Sequence, residues 1–251
     1  MLGNVIYYDK KKIDEYRSVI KGQRNLEIKE YEISNDRGVQ LDLKAVGADA
    51  KASKTYTAKI QESLLYNCSE FEKLLYGRDE FFDCTQSLDY DISTMRRGYI
   101  VKFDGNIRIP EEFDYTQTIG KFKPLIKEVA CNDIRNEAER VAFDVFFETQ
   151  DIKIPIVIDF NNQLMCSKLI SSNMLVKYED MEEYEELEVT IIARITSNNL
   201  VSAKKAFYDP LKDFMTLNRF MRRSLNGRTE GLYEIFAERD YQTIEILSIY
   251  Q

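Results

Sequence analysis

Short runs of apolar residues recur along the chain and predict β-strands with helices between them. Residues 153–160 are apolar on both faces, 189–196 are rich in β-branched residues, and 241–250 close the chain with a similar pattern. Runs of this length, bounded by turn-forming residues, are typical of strands buried in a sheet. The sequence therefore predicts several strands distributed along the chain.

The beginning of the chain predicts a strand followed directly by a helix. Asn4–Tyr8 is a short apolar strand pattern, and Asp9 stands in the position of a helix N-cap. The run 10–20 then repeats apolar residues on one helical face. Gly22 follows where a glycine can adopt the left-handed backbone that ends many helices.

Two turn sequences predict hairpins. Residues 35–38 (Asn-Asp-Arg-Gly) lie between the runs 26–33 and 39–46, and Asn161-Asn162 joins the strand pattern 153–160 to a returning strand. A further hairpin is predicted in the middle of the chain, where Asp104-Gly105 separates two apolar runs. Asp-Gly in this setting is the strongest short hairpin signal, so we expect the chain to reverse there.

Helical periodicity appears in three other places. Residues 58–76 repeat apolar side chains near the helical period and are followed by Gly77. Residues 121–150 are predicted to be mostly helical, and Asp209-Pro210 begins a helix that runs to about residue 225. The interspersed order predicts an α+β fold with largely antiparallel sheets and several packed helices. It leaves open whether the chain forms one domain or two lobes, 1–118 and 119–251.

The composition limits the chemistry that the chain can perform. It contains no histidine, which removes Ser-His-Asp and Cys-His catalysis and histidine-ligated zinc sites. The formal net charge is −8, which disfavours nucleic acid as a partner of the whole surface. No cofactor motif, phosphate-binding loop or dinucleotide fingerprint is present. We expect no cofactor and no metal, and the absence of histidine argues against an enzyme.

The location expected from the sequence is the cytoplasm. The opening residues include Asp9 and the run 10–12 of three lysines without a following apolar segment, so no signal peptide is predicted. No run reaches the roughly 18 apolar residues that a membrane span needs. The four cysteines fit no zinc or redox spacing, so we expect reduced and mostly buried thiols.

Three segments carry a family resemblance. They are the Ile-Tyr-Tyr-Asp opening at 6–9, the Gly-Tyr-Ile-Val-Lys-Phe-Asp-Gly segment at 98–105 and the Ile-Tyr end of the closing strand at 249–250. Together they resemble an uncharacterised family of bacterial cytosolic proteins that is known only as a domain of unknown function. The closing strand departs from the family pattern because 245–248 lack the expected proline. The resemblance implies no catalytic residues, and it implies an accessory role in defence or mobile-element systems.

One set of acidic and basic residues is a candidate for metal-dependent catalysis. Asp144, Asp151 and Lys153 place an acid before an Asp-x-Lys sequence at a strand start. Restriction-type nucleases use this combination, because acids hold Mg²⁺ and a lysine steadies the attacking water. A solvated helix end that runs into a strand would give the same residues, and we favour that interpretation.

Two groups of arginines are candidates for binding phosphates or an acidic partner. Arg96 and Arg97 precede the predicted central hairpin, and the second group consists of Arg219, Arg222, Arg223 and Arg228. Arginines at a helix end also complement the helix dipole, which is the interpretation we favour. The acidic run 179–188 is interpreted as a solvated segment, with docking of a basic partner as the alternative.

The function expected from the sequence is that of a cytosolic binding or interaction protein. Its expected partner is another protein, with a small ligand left open. The first alternative is a histidine-independent, metal-dependent nuclease or phosphodiesterase. The second alternative is a sensor of a phosphorylated small molecule that would use one or the other of the two arginine groups.

Overall fold

The computed structural model describes residues 4–22, 64–85, 90–121, 151–185, 187–214 and 233–251. Its strands are β1 (Val5–Tyr8), β2 (Phe81–Asp83), β3 (Ile100–Arg108), β4 (Lys153–Phe160), β5 (Gln163–Ile170), β6 (Glu188–Ile195) and β7 (Tyr241–Tyr250). Its helices are α1 (Lys10–Ile20), α2 (64–75), α3 (Glu112–Lys121), α4 (Glu182–Glu185) and α5 (Pro210–Asp213). Short 3₁₀ turns span Ile92–Thr94, Ser171–Asn173 and Tyr178–Asp180.

Five of the strands form a closed barrel. Strand β3 pairs with β4, β4 with β5, β5 with β7, β7 with β6, and β6 returns to β3. The β5–β7 junction is parallel and the other four are antiparallel. Strands β6, β3, β4 and β5 lie side by side in the order of a Greek key, and β7 closes the ring. The α+β class with mainly antiparallel pairing is confirmed.

Two hydrophobic clusters hold this arrangement together. The larger one fills the barrel with side chains such as Phe103, Ile158 and Ile191. The smaller one lies where α1 and α2 cover the outside of the barrel, and it includes Ile13 and Phe71. Strands from both predicted lobes share one sheet, because β3 pairs with β4 and β6. The division at residue 118 stays a prediction.

The beginning of the chain folds as its sequence predicts. Strand β1 leads directly into α1, and the Asp9 carboxylate accepts a hydrogen bond from the Lys12 backbone N–H at 3.1 Å. Gly22 has φ +65°, the left-handed conformation expected after a helix. The hairpin at Asn161-Asn162 is also confirmed, since both asparagines have positive φ and join β4 to β5. The predicted hairpin at 26–46 lies outside the described residues.

The predicted hairpin at Asp104-Gly105 is wrong. Strand β3 runs without a turn from Ile100 to Arg108 through both residues. Along 100–106 it pairs with β6, and from Asn106 onwards it also pairs with β4. A Cβ atom on Gly105 would lie 3.1 Å from the Asp159 carbonyl oxygen and 3.3 Å from Ile158 Cγ2. The glycine therefore permits a close approach of neighbouring strands, which is another established use of glycine in a sheet.

Candidate functional site

Two lysines share one face of the β4–β5 hairpin. In the antiparallel register Pro155 lies opposite Lys168, and Lys153 lies opposite Ile170. Lys153 and Lys168 are therefore diagonal neighbours whose side chains leave the same face of the sheet. Both strands are otherwise mostly buried, so these two ammonium groups stand out against an apolar surface.

A single buried carboxylate serves both lysines. Asp213, at the end of α5, is only 1% exposed and accepts a hydrogen bond from the Lys168 ammonium group. Its other oxygen, Oδ1, lies 3.6 Å from the Lys153 Nζ and has no hydrogen-bond partner within the described ranges. The carboxylate also accepts the backbone N–H of Asp209 at 3.1 Å, which ties it to the start of α5. One negative charge thus faces two positive charges.

The surroundings of Lys168 hold its ammonium group in place. Its Nζ lies 5.7 Å from the centroid of the Tyr208 ring, within the range of a cation–π contact. The Tyr208 hydroxyl donates to the Lys153 carbonyl oxygen at 2.9 Å, which links the ring to β4. Burial lowers the pKa of Lys168 below its usual value, and the Asp213 carboxylate opposes that effect. The ammonium group is therefore partly stripped of water and has one anionic partner.

A cleft of about 520 Å³ opens beside these lysines. It lies where β5 and β7 separate, since their parallel pairing ends at Cys166 and Thr243. Beyond that point the Ser167 hydroxyl donates to the Ile244 carbonyl oxygen at 2.9 Å and bridges the two strands. The lining includes residues of β5 and β7, Tyr7 of β1, Lys12 of α1 and several residues of the segment between β6 and β7.

The charged side chains that line the cleft are mainly basic. Among the described residues, Lys12, Lys153, Lys168 and Lys205 are the cations of the lining, and Glu245 is its acid. Glu245 is already engaged, because it accepts a hydrogen bond from Lys12 and lies 3.3 Å from the Arg194 Nε. This balance is the reverse of the whole chain, whose formal net charge is −8. A local positive potential follows, strongest where water is excluded.

Hydroxyl groups line another part of the cleft. The Thr196 hydroxyl donates to the Thr243 carbonyl oxygen at 3.0 Å and lies 2.9 Å from the Thr243 hydroxyl. The Ser197 hydroxyl accepts the Thr243 backbone N–H at 3.1 Å. These groups join the end of β6 to β7 and can exchange hydrogen bonds with a polar ligand.

Of the residues predicted for metal-dependent catalysis, Lys153 lies at the cleft. Its nearest charged partner is Asp213, a residue that the sequence did not single out. Asp151 is exposed just before β4 and is not among the cleft-lining residues, and Asp144 lies outside the described residues. Within the described ranges, no three His, Cys, Asp or Glu side chains are grouped so that they could hold a metal ion.

Neither predicted arginine group is found among the described residues that line the cleft. Arg96 and Arg97 are exposed before β3 and do not line the cleft. The second group, Arg219, Arg222, Arg223 and Arg228, lies outside the described residues. In the acidic run, Tyr178–Asp180 forms a 3₁₀ turn and Glu182–Glu185 forms α4, and the Glu185 carboxylate accepts the Ile109 backbone N–H at 2.7 Å.

The sequence contained one overlooked signal for the site. Lys153 and Lys168 are the basic residues of two apolar runs joined by the predicted Asn161-Asn162 turn. A two-residue turn fixes the register of a hairpin, and that register places the two lysines on one face. The contributions of Lys205 and Asp213 had no such signal, because they depend on how the segment between β6 and β7 folds back.

Comparisons with known proteins add no assignment. No protein-family profile, no curated protein and no solved structure matches the chain. None of the helices in the described parts of the chain is long and apolar enough to cross a membrane. The three described cysteines, Cys68, Cys84 and Cys166, are unpaired and buried, as expected from the sequence.

Proposed function

We propose that this chain is a binding protein whose cleft takes a small anionic molecule. The observation that carries the proposal is the cleft lining, whose described residues include four lysines and one glutamate that is already paired. Asp9 and Asp213 offset part of this charge, but in the described part of the chain the cations around the cavity still outnumber the carboxylates. An excess of like charge is costly unless anions reach it, because like charges repel most strongly where water is scarce. A bound anion would relieve that repulsion.

The size of the cleft favours a small molecule over a protein segment. Its volume of about 520 Å³ falls within the range of roughly 300–1,000 Å³ that is typical of small-molecule sites. Apolar walls such as Ile170, Val201 and Ile246 are combined with a few polar groups, as in most ligand pockets. An anion of metabolite size would satisfy both features.

The architecture supports the same location by analogy. A five-stranded Greek-key barrel is the design of the OB-fold, whose ligands bind on the second and third strands and under neighbouring loops. Here the second and third barrel strands are β4 and β5, which carry Lys153 and Lys168. The fold analogy concerns position only, and the chemistry of the ligand is inferred from the side chains.

The charge of the whole molecule favours a small anion over a nucleic acid. A nucleic acid would contact much of the protein surface, and the protein has a net charge of −8. Long-range repulsion between the two negative charges would weaken its binding. A small anion inside the cleft senses mainly the charges within about 8 Å, which is the screening length at physiological salt. The lysines that line the cleft would therefore dominate the electrostatic part of its binding free energy.

A thermal-shift screen with adjacent lysine variants tests the proposal. The panel contains carboxylates, phosphate monoesters and nucleotides at constant ionic strength. A ligand at 100 times its dissociation constant should stabilise the protein by about 2.7 kcal/mol and raise Tm by roughly 5–10 °C. Lys205→Met should reduce that rise, whereas Lys204→Met should not, because both side chains are exposed but only Lys205 lines the cleft.

The outcome that refutes the proposal is equally specific. If no anion in the panel raises Tm, or if Lys204→Met and Lys205→Met weaken the response equally, the cleft is not the binding site. Neutral analogues of each active compound serve as controls for effects of shape alone.

The other expectations from the sequence stay proposals. They are membership of the uncharacterised bacterial family, a cytoplasmic location, a protein partner and a role in defence systems, and co-purification from the native host would test the partner. The nuclease alternative is tested by incubating a plasmid with Mg²⁺ or Mn²⁺. Cleavage that is lost on Asp151→Ala would favour the nuclease over the binding protein.

A further inference from the structure

Positive charges outnumber negative charges around the cleft, and the excess indicates the charge of a matching ligand. The lining contributes four lysines and Glu245. The side chains ion-paired to them are Asp9 beside Lys12, Asp213 beside Lys153 and Lys168, and Arg194 beside Glu245. Among the described residues, five cations therefore face three carboxylates. Two positive charges are thus left without a counter-charge from the part of the chain that the structure describes.

The free hydrogen-bonding capacity lies at the lysine pair on β4 and β5. An ammonium group has three N–H donors and no acceptor. The Asp213 carboxylate takes one donor of Lys168 and reaches Lys153 only at 3.6 Å, so most donors of both groups are not taken by any described residue and can serve a ligand. Because one carboxylate holds both groups, their nitrogen atoms converge on the same region of the cleft.

We propose that the cleft recognises the phosphate monoester group of its ligand as a dianion, which binds in front of Lys153 and Lys168. This inference rests on the proposed binding function and adds the chemical class of the ligand. A phosphate monoester carries close to two negative charges above its second pKa of about 6 and offers three acceptor oxygens. It therefore matches both the charge excess and the free donors. A carboxylate or a phosphate diester carries one charge and leaves one cation uncompensated.

Asp213 acts in this arrangement as a positioning residue. It contacts the lysines from the side of α5 and is not among the cleft-lining residues, so the phosphate group need not displace it. Its buried position, anchored to the Asp209 N–H, keeps the two ammonium groups together before the ligand arrives. Preorganised donors cost less on binding than donors that must be gathered.

Methyl phosphate, dimethyl phosphate and acetate are the probes that test the inference. They differ in charge but are all small, and their dissociation constants are obtained from thermal shifts at fixed ionic strength and pH 8. We expect methyl phosphate to bind about tenfold more tightly than dimethyl phosphate or acetate. At pH 5, where methyl phosphate is a monoanion, that preference should disappear. Lys153→Met should abolish the preference at pH 8, and Lys204→Met is the matched control.

Each outcome separates the inference from the proposed function. If the three probes bind equally well, the dianion inference is wrong and the anion-binding function stands. A preference that survives in Lys153→Met would contradict the placement at the lysine pair. If none of the probes binds while another anion of the wider panel does, the inference fails and the proposed function stands. If no anion of either set binds, both fail. Lys153 is partly exposed, so its replacement is compatible with a folded protein, and circular dichroism of each variant checks this.

Discussion

Replacing Gly105 by alanine should destabilise the protein, although alanine is the better strand residue. The added Cβ would lie 3.1 Å from the Asp159 carbonyl oxygen and 3.3 Å from Ile158 Cγ2. Both distances are shorter than an ordinary van der Waals contact. The carbonyl belongs to β4 at the position that pairs with Asn106, so it cannot move without disturbing the ladder.

The expected magnitude is the difference between two opposing effects. Overpacking a buried site costs roughly 1–3 kcal/mol. A glycine-to-alanine change at ordinary φ also restricts the unfolded chain, which stabilises the folded state by about 0.4–1 kcal/mol. Gly105 has no positive φ, so that benefit applies here. We therefore expect a net loss of about 1 kcal/mol for Gly105→Ala, and a larger loss for Gly105→Val, which adds two more methyl groups at the same contact.

Urea unfolding measures these losses as shifts in the midpoint at constant m-value. Asn106→Ala is the control, because Asn106 is the next residue of β3 and its side chain is exposed. The control should stay within about 0.5 kcal/mol of the original protein. If Gly105→Ala or Gly105→Val were as stable as the original, the close approach of β3 and β4 would not be the reason for the glycine. In that case the turn predicted from Asp-Gly would have to be reconsidered.

Two further predictions concern buried charges and thiols. Asp213→Ala should lower the free energy of unfolding by about 2–3 kcal/mol, which is below the usual range for a buried pair because both lysines are partly exposed. Asp213→Asn should lower it by less, because asparagine can still accept the Asp209 N–H. Equal stability of the original protein and both variants in urea unfolding would contradict this prediction. Burial raises the pKa of the Cys68, Cys84 and Cys166 thiols to about 12. An unfolded thiol ionises near pH 8.5, so the stability from these groups is complete below that pH and is lost as the pH rises towards 12. As the pH rises from 7.5 to 9.5, each buried thiol should lower the free energy of unfolding by about 1.4 kcal/mol. A free energy of unfolding that is independent of pH would refute the burial of the thiols.

Local signals predicted the elements whose causes are local. The Asp9 cap, the Gly22 helix end and the Asn161-Asn162 turn each depend on a few neighbouring residues, and all three are present in the structure. The strands β4 and β7 were recognised because their apolar runs are long and end at turn residues. These features need no knowledge of what packs against them.

The signal at Asp104-Gly105 failed because a tertiary contact overrode it. The same dipeptide that favours a tight turn also permits two strands to approach closely, and only the position of Asp159 on β4 distinguishes the two uses. The closure of the barrel could not be predicted for a similar reason. It depends on the parallel pairing of β5 with β7, whose partners are far apart in the chain. No local pattern encodes such a pairing.

The candidate site, too, could be predicted from the sequence only in part. Lys153 was singled out from the sequence, whereas Asp213, its ion-pair partner in the structure, was not. The partnership requires α5 to fold against β4 and β5, which brings Asp213 to lysines about 60 and 45 positions earlier in the chain. Sequence periodicity places a side chain on a face of its own element, and it says little about which segment covers that face.

The most direct test of the anion-binding cleft is a crystal soaked in tungstate, a tetrahedral dianion with a strong anomalous signal. The account predicts an anomalous peak within hydrogen-bonding distance of the Lys153 and Lys168 ammonium groups, and its loss in crystals of Lys153→Met. A peak confined to other surface lysines, or no peak while the cleft stays accessible to solvent, would contradict the central claim that these lysines exist to hold a ligand's negative charge.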